Sequence, residues 1–224
     1  MNPQCGSAPY ANWKKGRSRD ILFASATPQT TIYASLCAAP LVVTDGSGMS
    51  GPIDVAANTP FWFLGTAAGY HPSATVEMKW PLGSSSSQLD LDMFPVSKAP
   101  VSDWYAGSSP SEATIWVALT AAPTATCTVA GWTLAVEGHP EAKVSYFGAM
   151  GKPDPSLTAT VDSSGKGNTF VVLYGITPGE PANVLGTKAG CGPLAAPAPV
   201  GVAIATGRHP LLADTHVYST LVTP

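Results

Sequence analysis

Four cations stand within six positions near the start of the chain: Lys14, Lys15, Arg17 and Arg19, next to Trp13. Lys and Arg gain affinity for phosphates by releasing counterions, whatever the base sequence. Nucleic-acid binding is therefore the chemistry open to this stretch. After Arg19 no Lys or Arg appears until Lys79. Two carboxylates, Asp90 and Asp92, alternate on one strand face about 7 Å apart. Hard oxygen donors of this kind suit calcium, but a solvated strand face is the better reading, and no metal site or cofactor is expected. A third group, Phe61-Trp62-Phe63, puts aromatics on both faces of a single strand. Burial on both sides is the simplest reason, which makes these three residues candidates for a contact between subunits.

Catalytic patterns fail one after another. Gly46-Ser47-Gly48-Met49-Ser50-Gly51 has neither the spacing of a nucleophile elbow nor the Lys-Ser/Thr ending of a P-loop. Asp162-Ser163-Ser164-Gly165 has one residue too many for an aspartic-protease Asp-Ser/Thr-Gly and reads as a hairpin turn. His71, His139 and His209 each precede a proline, which favours extended backbone, so they read as the openings of turns. His216 opens a strand. No two histidines have metal-ligand spacing. The chain is expected not to be an enzyme.

The elements that would carry these residues are short strands. Ala74–Trp80, Gln88–Met93 and Ala113–Leu119 alternate apolar and polar side chains, the pattern of a half-buried antiparallel strand. Further strands are expected at 20–26, 30–37, 41–44, 60–66, 127–137, 143–148, 157–161, 169–176, 200–206 and 216–222. Gly and Pro number 22 each in 224 residues, and both break helices. No long segment holds a helical apolar period. The expected fold is all-β, an antiparallel sandwich. Residues 1–19 read as a flexible basic arm, 20–140 as the sandwich, and 143–224 as a second β domain or its continuation.

Charged residues are only 11% of the chain, against roughly 25% in ordinary soluble domains. Such a surface is expected to be covered by Ser, Thr, Gly and Pro, or by other proteins. Cys5, Cys37, Cys127 and Cys191 are scattered with no C-x-x-C pair, and are expected to be free, buried thiols. No apolar signal-like or membrane-length run occurs, so neither classical secretion nor a membrane partner is expected.

One segment resembles a known family. Leu119-Thr120-Ala121-Ala122-Pro123-Thr124-Ala125-Thr126-Cys127-Thr128-Val129-Ala130-Gly131-Trp132-Thr133-Leu134 resembles the last hairpin of the jelly-roll shell domain in coat proteins of small non-enveloped icosahedral viruses. The resemblance implies a capsid subunit that self-assembles with copies of itself or sibling coat subunits, located in the virion. Its arm would meet viral RNA or DNA, and a host receptor would be a further partner. The aromatic-Arg-Gly strand of picornavirus-type coats is absent. The alternative is a carbohydrate- or receptor-binding β-sandwich of phage-tail or adhesin type, with residues such as Trp104-Tyr105 stacking on sugars.

Overall fold

The computed structural model describes residues 29–35, 37, 39–50, 58–79, 109–148, 151–196 and 206–224. It also gives the backbone of five strands near the N-terminal half and of Ile204–Ala205. Among the described residues every regular element is a strand, and most pairs are antiparallel. The fold is all-β and of sandwich type, as the alternation indicates.

The chain divides into two compact units. Unit 1 holds residues 1–99 and 198–206; unit 2 holds 100–197 and 207–224. The division therefore falls before residue 100, not at 140–143. The cause is the strand at Ala113–Ala121, whose neighbours in the sheet come from residues 168–176 and 216–223. Those long-range pairings bind 113–121 to the rest of unit 2.

Unit 1 begins with β1 (Tyr10–Trp13), β2 (Gly16–Ser18), β3 (Thr31–Ala34), β4 (Val42–Val43) and β5 (Ile53–Ala56). It continues with β6 (Pro60–Phe61), β7 (Phe63–Thr66), β8 (Tyr70–His71) and β9 (Ser73–Thr75). β10 (Met78–Lys79), β11 (Leu91–Met93) and β12 (Val96–Ser97) follow. The run β9-β7-β3-β4 is antiparallel throughout. Register sets Ala34 opposite Phe63 and Ile32 opposite Gly65, so Ile32, Ala34 and Phe63 enter the core from one face. β6 pairs instead with β10. Side-chain hydroxyls close the backbone account: Thr75 Oγ1 accepts from Phe63 N at 3.0 Å, and Thr44 Oγ1 accepts from Thr30 N at 2.8 Å.

Unit 2 consists of β13 (Ala113–Ala121), β14 (Thr133–Val136), β15 (Lys143–Tyr146) and β16 (Asn168–Ile176), then β17 (Gly179–Thr187). The short β18 (Ile204–Ala205) belongs to unit 1, where it pairs with β10. β19 (Arg208–Leu211) and β20 (His216–Thr223) return to unit 2. One layer runs β15-β16-β13-β20, with β20 parallel to β13; the other is β14-β17-β19. β13 is buried on both faces over its first seven residues. Ile115, Val117 and Leu119 meet Leu173, Val171 and Thr169 across the sheet. Burying each such aliphatic side chain is worth about 1.5–3 kcal/mol, which makes β13 the spine of the unit. The Tyr146 hydroxyl links the layers by accepting from Leu134 N at 3.1 Å, and burial raises its pKa.

Four expectations need correction. Residues 119–134 do not form a hairpin. Leu119 lies in β13, which continues to Ala121, while Leu134 lies in β14, which pairs with β17 in the other layer. The intervening residues turn across the end of the unit and bury Trp132 completely. Residues 157–161 are not a strand, yet Thr160 does a strand's work. Its N–H donates to Trp132 O, its carbonyl accepts from Gly131 N, and its hydroxyl accepts from Trp132 N at 2.9 Å. The supposed flexible arm, 1–19, contains two paired strands: β1 is antiparallel to β5 and β2 is parallel to β11.

Three of the four cysteines are not free thiols, and Cys5 lies outside the described residues. Cys127 and Cys191 form a disulfide with Cα atoms 6.1 Å apart, and Cys37 is disulfide-bonded as well. Scatter along the sequence said nothing about this, because 64 residues separate the two partners. The fold brings the exit of β13 and the exit of β17 to one end of unit 2. There Lys188 Nζ also donates to Thr128 O and Oγ1, each at 3.0 Å.

Candidate functional site

Lys14, Lys15 and Arg19 lie outside the described residues, as do Asp90 and the Trp104-Tyr105 pair. Arg17 and Asp92 are placed by backbone only. They are register partners in the parallel β2–β11 pair, so one member of the cationic group and one metal candidate sit side by side on adjacent strands. Among the described residues no group of three His, Cys, Asp or Glu side chains is arranged to hold a metal ion.

The aromatic triplet is split by the fold. Phe61 and Phe63 are both fully buried, their rings edge to face with centroids 5.2 Å apart. They are core of unit 1, which corrects the reading of these two as subunit contacts. The strand breaks at Trp62, between β6 and β7, so the three residues do not simply alternate. Trp62 alone stays partly exposed, and its indole N–H is buried without a hydrogen-bond partner.

Loops that looked merely flexible are tied by aspartates. Asp45 Oδ1 accepts from Ser47 N, Ser47 Oγ and Met49 N at 2.7–3.0 Å. The Ser47 hydroxyl above all holds this carboxyl below its usual range. Asp154 binds Ser156 in the same way, and the Ser156 hydroxyl is the main cause of its lowered pKa. Asp162 accepts from Gly167 N, the leading cause of its own lowering, and from Ser164 Oγ. These are turn-making carboxylates whose acceptor sites are taken by their own loops. The Asp162 turn leads into β16, but it is not the hairpin turn expected, because no strand precedes it at 157–161.

The histidines divide into surface and core. His139 stands on the surface in a turn, with Nδ1 3.0 Å from Glu141 Oε1. That contact is the main reason the Glu141 carboxyl falls to about 2. His209 and His216 are both buried. His216 Nδ1 accepts from Trp116 Nε1 at 2.9 Å, and the two rings stack at 6.1 Å. Phe147 packs edge-on to Trp116 and leads to Phe170, which is 36% exposed. This aromatic row on the outer face of β13 escaped the alternation argument, which assigned only residues 113, 115, 117 and 119 to the interior. The unbroken apolar stretch Ile115-Trp116-Val117-Ala118-Leu119 was the signal for two-sided burial.

The outer face of β14-β17-β19 carries few charges. Thr133 and Thr187 face each other across the strands with hydroxyls 2.7 Å apart, and Leu185 beside them is 47% exposed. In unit 1, Val43 on the short strand β4 is 53% exposed.

No protein-family model and no curated protein matches the chain. Among solved structures, the TIE protein of Bacillus anthracis is similar, at 10% sequence identity and a TM-score of 0.26. That match covers 95% of this chain and 34% of the other.

Proposed function

We propose that the chain is a structural subunit of a viral shell that assembles through β surfaces and encloses nucleic acid. The carrying observation is the uncharged, partly apolar surface on strands: Val43, Leu185, Ala135 and the Thr133–Thr187 pair. Solitary β proteins protect strand edges with Pro, Lys and other charged residues, because unpaired edges template pairing; β4 and β14 are such edges. Here the residues from Asp20 to Met78 contain no cation at all. Symmetric neighbours would cover such a surface, and Trp62 remains a candidate contact. Lys14, Lys15, Arg17 and Arg19 would then meet the enclosed nucleic acid, many copies together giving what one cannot.

The disulfides favour a second reading. Disulfides persist in oxidising settings that include cell surfaces and virions alike. They fit a receptor- or carbohydrate-binding module equally well. Nuclease protection separates the two. The expressed chain should retain nucleic acid that resists added nuclease, and replacing the four cations by Ala should remove it without lowering the melting temperature. A chain that protects no nucleic acid under any ionic condition would favour the binding module.

A further inference from the structure

The core of unit 2 contains an imidazole with one nitrogen unmatched. His209 lies in β19, 1% exposed. Its Nδ1 is 3.3 Å from Ala182 O on the neighbouring strand β17. A carbonyl only accepts, so Nδ1 carries the hydrogen and Nε2 is the bare acceptor. Nε2 is fully buried and has no partner. A buried acceptor without a donor is costly, and converting it to a charged N–H without an acceptor costs more.

Among the described residues no counter-ion stands ready. On β19 itself the neighbouring charge is Arg208, whose guanidinium is bound to Pro181 O at 2.6 and 3.1 Å. On β17 the acidic residue is Glu180, which is exposed. β13 contributes no ionisable residue. β20 contributes His216, engaged with Trp116, and Tyr218, the register partner of Trp116; by strand alternation both lie on the Trp116 face of that sheet, away from β19. Tyr146 offers a hydroxyl already committed to Leu134 N.

We propose that His209 is an acid-sensitive trigger built into the fold: a proton on its Nε2 puts an unmatched charge in the core of unit 2 and opens that unit. Desolvation holds the pKa of His209 down at about 4, against about 6.5 in an unfolded chain. Between these values the unfolded chain binds more protons than the folded one. Stability is therefore whole above pH 6.5 and is lost as the pH falls toward 4. The trigger is a property of unit 2 alone and holds whether or not the chain assembles.

Urea unfolding of the full chain at pH 7.5 and pH 4.5 tests this, comparing the native sequence with His209→Leu. The carboxylates contribute equally to both proteins, so the difference isolates His209. The unfolding constant of the native chain should rise about 70-fold more than that of the variant over this interval. Equal rises would overturn the proposal. A second readout needs no variant: the imidazole resonances of His209 in the native chain, followed by NMR during acid titration. Retention of the neutral imidazole until unit 2 unfolds is the expected result. Titration near pH 6.5 with the folded spectrum intact would overturn the trigger, and this readout decides the matter if His209→Leu does not fold.

Discussion

Gly186 has no side chain because Leu194 occupies the place where one would go. A Cβ there would collide with Leu194 Cδ1 and Cγ, with the Trp132 ring at 3.3 Å behind. Gly186 is the register partner of Leu134, so Leu194 fills the end of the core through the gap. Gly186→Ala should therefore lower stability by about 1–3 kcal/mol, the usual cost of overpacking. The loss should shrink in a Gly186→Ala, Leu194→Ala double variant, as coupled neighbours are non-additive. Thermal melts of the four proteins check this; an unchanged melting temperature for Gly186→Ala would show that the contact is not tight. Nothing in the amino-acid pattern hints at the pairing. A glycine in a strand carries no sign of what fills its place, and Leu194 lies eight residues on in an irregular loop.

Among the elements, those that alternate or run apolar were legible. β13, β16 and β20 stand where the pattern put them, because a core strand is defined by what it buries. β17 and β19 were not legible. β17 reads Gly-Glu-Pro-Ala-Asn-Val-Leu-Gly-Thr, and its Pro181 lies in the bulged stretch where the register to β19 shifts between Gly179 and Ala182. A bulge is where a strand tolerates a residue that cannot donate to the ladder. His209-Pro210 looked like a turn for the same reason, although β19 forms the border of its sheet. The exit loop of β17 is held by the Cys127–Cys191 bridge, which closes 64 residues. Removing a cross-link of that span costs about 4 kcal/mol by the loop-entropy relation. Cys127→Ser with Cys191→Ser should accordingly lower the melting temperature of unit 2, and alkylation of the native chain without reductant should leave both sulfurs unlabelled. Labelling of Cys127 and Cys191 in the native chain would contradict the pairing.

At the scale of the molecule, composition carried the class of fold but not its division. Low charge and abundant Gly and Pro are averages over all 224 residues, and averages do not say which strand finds which. The division follows from β13 pairing forward to β16 and β20, and from 198–206 returning to unit 1. Of the candidate residues, Phe61 and Phe63 belong to the core, while Trp62, Val43 and Leu185 remain at least partly open. Replacing Leu185 by Lys on the outer face of β17 should leave the melting temperature within about 0.5 kcal/mol of native in stability terms, as exposed substitutions do. If that face joins a neighbour, the same change should reduce assembly. The central claim, that the chain acts by assembling, is tested most directly by sedimentation velocity of the purified chain at micromolar concentration over a range of salt and neutral pH. Large particles of one dominant size are the expected result; a chain that sediments as a monomer under every condition would contradict it.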